Sequence, residues 1–243
     1  LCKDWFEDEQ WGIFEIQSRI KDRDNLAEKI DRKNKYQNLT EITDVCGLRI
    51  ITSLESSVDK VAEKINNELK IDASNSVDKR VLRVDQFGYR SLHYVVELNE
   101  DRCKLSEYAL CQGIKAEIQI RSILQHAWAN LMRNLGYNTK YELPLQFHRN
   151  FNRMAALLET ADIEFDRLNN QLAEYKSIIN QSITQKPEDV FLDKTSLESY
   201  SFTNPTVKEA RDILAELLHM SFYEFSVFAW DDVIRYLTEV GIN

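Results

Sequence analysis

The sequence predicts an α+β fold, in which a mixed β-sheet flanked by helices precedes a mostly α-helical C-terminal part. Apolar runs rich in β-branched residues at 45–52 and 91–98 predict two buried strands, and strict alternation along 114–121 predicts a third. Segments with helical spacing lie before and between these strands, which is typical of an α/β or α+β domain. From residue 147 onward the apolar residues follow a long heptad pattern instead.

Three segments of the N-terminal part predict helices. Residues 13–35 are amphipathic and rich in basic residues, which favours a helix or a helix pair. Residues 56–70 space their apolar side chains as a helix does, with Ser56 or Ser57 as its expected cap. Residues 122–136 predict a helix that ends at Gly136.

The last hundred residues predict helices only. A stripe of apolar residues at 4,3 spacing indicates one long helix within 141–185; it comprises Phe147, Phe151, Met154, Leu158, Ala161, Phe165, Leu168, Leu172, Tyr175 and Ile179. We expect the stripe to pack on a domain formed by residues 1–140, with a self-association seam as the alternative. After a Ser/Thr/Asn-rich connection at 195–206, two further helices complete a C-terminal extension over 186–243.

Composition and charge exclude several classes of protein. The chain has 243 residues, a net charge of −9 and 43% hydrophobic residues, which is typical of a globular protein of one or two domains. The acidic balance argues against a general nucleic-acid coat, although it leaves room for a local basic pocket. The four cysteines lack zinc-site spacing and predict free thiols in a reducing compartment. No apolar run approaches the about 18 residues of a membrane span, so we expect a cytoplasmic protein without a membrane partner.

Polar residues in and before the strands point to chemistry. Glu117, Gln119 and Arg121 alternate with apolar residues, so a regular strand presents all three on one wet face. They offer a metal ligand or proton acceptor, a base-edge reader and a phosphate clamp, although a merely solvated face is the alternative. Asp44 directly precedes the strand at 45–52, where it would serve as a turn cap or as a hard oxygen ligand for Mg²⁺.

Two further segments carry candidate binding residues. Lys21, Asn25, Lys29 and Arg32 share one helical face, which is either a solvated face or a cradle for a triphosphate. The chain contains no GxxxxGK sequence, so a P-loop is excluded. In FGYRSLHY (87–94), Tyr89 offers a flat ring for stacking on a base, and core packing is the alternative for this ring.

Four segments together resemble the RelA/SpoT-type alarmone synthetase family of GTP pyrophosphokinases. They are SRIK…NLAEK (18–29), EITDVCGLRI (41–50), FGYRSLHY (87–94) and AEIQIRSILQHAWANL (116–131), in matching order and spacing over about residues 13–175. The resemblance implies a nucleotidyltransferase-like synthetase domain. It also implies a reaction, in which the β,γ-pyrophosphate of ATP passes to the 3′-hydroxyl of GTP or GDP, leaving AMP and (p)ppGpp.

The resemblance implies a role for individual residues. Asp44 and Glu117 correspond to the catalytic carboxylates that hold Mg²⁺, and Glu117 also to the base for the 3′-hydroxyl. The positions that match ATP-binding residues are Arg19, Lys21 and Lys29. The acceptor-binding positions are Tyr89, which stacks on the base, His93 and Gln119 beside it, and Arg121, which helps to hold phosphate.

The chain also departs from the family pattern. It contains no His-Asp dipeptide, so we expect a small synthetase with a single activity. Phe87 replaces an Asn of the family, and Asn130, Arg133 and Asn138 stand where members often have Glu, His and Lys. Two alternatives therefore stay open. One is a toxic member that pyrophosphorylates adenosine nucleotides or tRNA 3′ ends and pairs with a neutralising protein; the other is an inactive nucleotide sensor. A homo-oligomer is compatible with each of them.

Overall fold

A computed structural model describes residues 2–6, 11–34, 36, 38, 41–81, 88, 90–135, 145–185, 190–218 and 230–240. The strands are β1 (Ile13–Ile20), β2 (Cys46–Thr52), β3 (Leu69–Ile71), β4 (Val77–Asp78), β5 (Leu92–Leu98) and β6 (Ala116–Ser122). The helices are α1 (Cys2–Trp5), α2 (Arg23–Lys33), α3 (Ser56–Glu68), α4 (Glu100–Cys103), α5 (Ile123–Asn134), α6 (Leu145–Gln185), α7 (Lys194–Thr203), α8 (Pro205–Leu218) and α9 (Trp230–Glu239). Two compact units, Leu1–Asp166 and Arg167–Asn243, divide within α6. None of the helices described is long and apolar enough to span a membrane.

The strands of the first unit form a mixed sheet in the order β1-β2-β6-β5-β3, with β4 paired to β5. Only β2 and β6 run parallel among the described pairs, and the other pairs are antiparallel. The α+β fold with a mixed sheet, flanking helices and a long C-terminal helix is therefore confirmed. The registers place Glu117 opposite Gly47 on β2 and opposite Val95 on β5, at the centre of the sheet.

The two faces of the sheet differ in chemistry because side chains alternate along each strand. One face carries Ile50, Ile118 and Ile120, which are at most 2% exposed and pack with the apolar side of α3 in the main core. The other face carries Arg19, Arg49, His93, Glu117 and Gln119, so polar groups of four strands lie together on one surface.

Two sequence-based predictions of secondary structure are wrong. Residues 13–20 form β1 rather than a helix, because backbone pairing with β2 over Ile13–Ile20 outweighs the helical spacing of their apolar residues. Residues 194–203 form α7 rather than a connection, because Asp193 caps that helix with a hydrogen bond from the backbone of Ser196 at 2.8 Å. Gly136, the expected end of α5, lies outside the described residues.

The long helix α6 is present, but its heptad stripe is not buried throughout. Phe151 and Leu158 pack against the cluster formed by Trp128, Met132 and Ala155. Other members of the stripe are between 36% and 59% exposed: Phe147, Met154, Phe165, Leu168, Leu172 and Tyr175. The buried face of the helix in the first unit instead includes Asp162, which is 3% exposed. The proposed division into 1–140, 141–185 and 186–243 stays a prediction.

Candidate active site

Asp44 lies between two lysines at the start of β2. Its carboxylate oxygens accept hydrogen bonds from Lys21 Nζ at 2.7 Å and from Lys29 Nζ at 2.6 Å. Lys21 is held in place because its backbone N–H donates to the carbonyl of Val45 at 2.9 Å. Partial burial opposes ionisation of Asp44, but the hydrogen bonds from Lys21 and Lys29 together outweigh it and lower the pKa of this carboxyl.

A basic cavity of about 290 Å³ adjoins this cluster. Its lining comes from the end of β1 and from one face of α2, and consists of Arg19, Ile20, Lys21, Asp22, Asn25, Glu28, Lys29 and Arg32. The four residues that the sequence placed on one face, Lys21, Asn25, Lys29 and Arg32, therefore share one cavity. Four cationic side chains against two carboxylates give it a positive balance, which suits a polyphosphate.

Glu117 forms a second charged group at the centre of the sheet. Its Oε1 lies 2.8 Å from Nδ1 of His93 on the neighbouring strand β5. The hydrogen bond from His93 lowers the pKa of Glu117 and outweighs partial burial, which acts in the opposite direction; Gln119 contributes a further hydrogen bond. The side chain is 21% exposed, so an ionised and oriented carboxylate faces the site.

The charge of Asp44 acts to raise the pKa of Glu117, although more weakly than the hydrogen bond from His93 and the partial burial act on it. Mg²⁺ in phosphoryl-transfer sites takes one or two carboxylates and completes its shell with substrate phosphates and water. Asp44 and Glu117 fit this donor set, and the cavity that adjoins Asp44 carries the positive charge that suits the phosphates of a substrate. No cluster of three or more acidic, His or Cys side chains suited to a metal occurs among the described residues, so an all-protein cage is not offered there.

Arg49 belongs to the same surface, although the sequence reasoning did not single it out. Its Nη1 donates to Gln17 Oε1 at 2.8 Å, and it lies opposite Gln119 in the sheet. Arg19 lies across Gly47: a Cβ there would come within 3.4 Å of the Arg19 side chain. A narrow slot beside Glu117 is therefore bordered by both guanidinium groups. The signal was available, because Arg49 alternates with the apolar Leu48 and Ile50 and therefore shares a face of β2 with Gly47, which lies opposite Glu117.

Alternation along β6 predicts that Arg121 lies on a wet face, and this prediction is wrong. Arg121 is 1% exposed, because α5 begins directly after β6 and covers this end of the strand. Its Nη2 donates to Nδ1 of His126 at 3.1 Å. Burial and then the charges of Arg121 and Arg49 lower the pKa of His126.

The structure brings most of the remaining predicted site residues together. Arg19, Lys21 and Lys29 meet at the β1–α2 edge, whereas His93 and Gln119 lie opposite each other on β5 and β6. Tyr89, the predicted stacking residue, lies outside the described residues. The residues expected to bind ATP thus lie at β1 and α2, and those expected to bind the acceptor lie on β5 and β6. Glu117 also belongs to β6.

Comparison with known proteins identifies the family of this chain. The family model for the region found in RelA and SpoT proteins matches residues 18–142, which is just over half of the chain. The chain belongs to the RelA/SpoT family. Every residue discussed above as part of the polar surface, apart from Gln17 next to its start, falls within the matched segment.

Members of the RelA/SpoT family are similar to this chain in sequence and in structure. GTP pyrophosphokinase YwaC of Bacillus subtilis is 32% identical over 145 residues, which are 55% of this chain and 63% of YwaC. The chain thus spans just under two thirds of that relative. The small alarmone synthetase 2 of Bacillus subtilis aligns with a TM-score of 0.56 at 24% identity, covering 70% of this chain and 89% of that one. The small alarmone synthetase 1 of the same organism, bound to its product pppGpp, aligns with a TM-score of 0.55 at 22% identity, covering 70% and 84%. These two structures support the fold.

Proposed function

We propose that this chain is an ATP-dependent pyrophosphokinase, which transfers the β,γ-pyrophosphate of ATP to the 3′-hydroxyl of GTP or GDP and so makes (p)ppGpp. The observation that carries this proposal is a pair of hydrogen-bonded carboxylates, Asp44 directly before β2 and Glu117 on the neighbouring strand β6. Asp44 is joined to the lysines of a basic cavity, and Glu117 is held by His93 beside it. The pppGpp-bound relative supports a guanine nucleotide as the acceptor.

The basic cavity is the proposed site of the ATP triphosphate. Its cations are supplied by Arg19, Lys21, Lys29 and Arg32. Lys21 and Lys29 both pair with Asp44, so a triphosphate that binds here competes for the two lysines and leaves that carboxylate available. Asp44 and Glu117 are the residues that would hold Mg²⁺, which when bound neutralises charge on the transferring phosphates. Arg19 and Arg49 border the slot beside Glu117, where planar guanidinium groups suit a flat adenine ring.

Glu117 is the proposed acceptor of the proton of the 3′-hydroxyl. Its lowered pKa keeps the carboxylate ionised at neutral pH, and the His93 hydrogen bond fixes its orientation. The 3′-oxygen forms a bond to the β-phosphorus of ATP while the bond from that phosphorus to the α,β-bridging oxygen breaks, and AMP leaves with that oxygen. The protein forms no covalent bond, so its contribution is positioning and charge.

The test is label transfer from [γ-³²P]ATP to GTP with Glu117→Gln and a matched control. Glu97 lies on the same face of the sheet and is similarly exposed, at 22% against 21%, but it pairs with lysines rather than with His93. We expect Glu117→Gln to lose at least about 10²–10⁴-fold in rate, since it removes the base as well as a metal ligand, and Glu97→Gln to remain near the wild type. Near-normal turnover by folded Glu117→Gln contradicts the role assigned to Glu117. Transfer of label only to tRNA or to adenosine nucleotides would show that the acceptor is not GTP or GDP.

A further inference from the structure

Three acidic side chains on one face of α6 contact three different elements of the first unit. Glu159, Asp162 and Asp166 follow at i, i+3 and i+7, which is one helical face. Glu159 Oε1 lies 3.3 Å from Nη1 of Arg90. Asp162 accepts from the Ser122 hydroxyl at 2.9 Å, and Asp166 accepts from the backbone N–H of Ser56 at 3.1 Å.

The three contacts all lie at the same edge of the sheet. Ser122 ends β6, and Ser56 follows the parallel neighbour β2, so both are at the carboxyl end of that pair. Arg90 precedes β5, which runs antiparallel to β6 and therefore begins at this edge. Polar side chains of helix α6 thus contact the ends of the strands. The apolar heptad stripe does not predict these contacts.

Arg90 is held between two carboxylates from different elements. Its Nη2 lies 2.8 Å from Oε1 of Glu55, which precedes α3, and Glu159 approaches from α6. The Arg90 side chain is only 19% exposed. Burial raises the pKa of Glu55 and the charge of Arg90 opposes that shift, so the guanidinium stabilises the ionised acid. The backbone at residue 90 is consequently fixed from two sides.

This backbone leads directly to the proposed acceptor site. Arg90 follows Tyr89, the predicted base-stacking residue, and precedes by three residues His93, which orients Glu117. On the other side of Tyr89, no described atom lies within 4 Å of the position that a Cβ would occupy at Gly88. Among the described residues of this segment, Arg90 supplies the ion pair with α6, whereas Ser91 is held in the sheet, where its hydroxyl donates to the carbonyl of Ile120 at 3.3 Å.

We propose that the Glu159–Arg90 ion pair positions the acceptor-binding segment, so that helix α6 determines how well the acceptor binds. This inference rests on the proposed function. Arg90 and Glu159 are positioning residues, since they act through the backbone of residues 90–93 rather than on a substrate. The ATP side should not respond, because Lys21 and Lys29 belong to the β1–α2 edge, separated from β5 by β2 and β6.

The experiment measures the KM for GTP and the KM for ATP in Glu159→Gln, Glu159→Lys and the control Glu174→Gln. Glu174 is an exposed acid on the same helix. We expect the GTP KM to rise about three- to fivefold in Glu159→Gln, the range of a partly exposed ion pair, and further in Glu159→Lys, where like charges meet. The ATP KM and the control should stay within about twofold of the wild type. Amide hydrogen exchange of the peptide that contains residues 88–93 should be faster in both Glu159 variants and unchanged in Glu174→Gln.

Each contrary outcome has a distinct meaning. Equal rises in both KM values show a general structural role and overturn the inference, as does an unchanged GTP KM in Glu159→Lys. If the wild type transfers no label to GTP and does not bind it, the proposed function fails and the inference fails with it. If the wild type transfers label to GTP but the GTP KM is unchanged in both Glu159 variants, the inference fails and the proposed function stands.

Discussion

Asp162 makes the stability of the protein depend on pH in a direction opposite to that of most carboxylates. It lies on α6 with 3% of its surface exposed, and burial raises its pKa to about 6, although the hydrogen bond from Ser122 acts in the opposite direction. An acid whose pKa is raised by folding binds its proton more tightly in the folded state. The contribution of Asp162 to folding stability is therefore highest below the unfolded pKa of about 4 and declines as the pH rises towards 6.

The magnitude follows from the size of the shift. A rise from 3.8 to about 6 corresponds to roughly 3 kcal/mol of unfolding free energy, at about 1.4 kcal/mol per unit, as an order-of-magnitude upper value. Asp162→Asn keeps a side-chain oxygen for the Ser122 hydroxyl but carries no charge. We expect the unfolding free energy of Asp162→Asn, relative to that of the wild type, to rise by up to this amount between about pH 4 and pH 7.

Urea unfolding of both proteins at intervals from pH 4 to pH 8 provides the assay. The charges of Glu55, Arg90 and Asp166 also act on Asp162, so the difference between variant and wild type is the informative quantity. Glu174→Gln, on an exposed part of α6, controls for the loss of an acid. A difference that stays flat from pH 4 to pH 7, or that falls with rising pH, refutes the argument from burial.

Three further perturbations test other parts of the account. Asp44→Asn should abolish transfer and destabilise the protein at pH 7. Because folding lowers the pKa of Asp44, the difference in unfolding free energy between variant and wild type should shrink as the pH falls below about 4. A difference that stays constant down to pH 2 in urea unfolding contradicts this. Gly47→Val places a side chain against Arg19, within 3.4 Å already at Cβ, and should raise the KM for ATP several-fold with little change in the melting temperature; an unchanged KM contradicts the slot. Trp128→Ala removes the 9% exposed ring that meets Phe151 edge-to-face, and should cost about 3–5 kcal/mol of unfolding free energy; a loss below about 1 kcal/mol would show that α5 and α6 do not depend on this contact.

The strands at the centre of the sheet were predictable because their pattern is local. Alternation along β6 identified the element and the face of Glu117 and Gln119, and the apolar runs identified β2 and β5. Strand β1 was not predictable in this way. Its Ile13, Ile16 and Ile20 also have helical spacing, and the outcome depends on pairing with β2, which is a tertiary interaction.

The site was predictable in its residue types but not in its contacts. The family resemblance pointed to Asp44, Lys21 and Lys29, whereas their ion pairs depend on how the β1–α2 connection meets the start of β2. Alternation also misplaced Arg121, because it reports the face of a strand and not whether a following helix covers it. The heptad stripe predicted helix α6. It could not predict the acidic face of that helix, which makes the polar contacts with the sheet.

The central claim is that pyrophosphate, and not a single phosphate, passes from ATP to a 3′-hydroxyl. The most direct measurement follows ATP labelled at the α- and γ-phosphorus in the presence of GTP or of 3′-deoxy-GTP. The account predicts that AMP carrying the α-label forms in equal amount with a γ-labelled guanine nucleotide, and that neither forms with the 3′-deoxy acceptor. Release of ADP in place of AMP, or equal labelling of the 3′-deoxy acceptor, would contradict it.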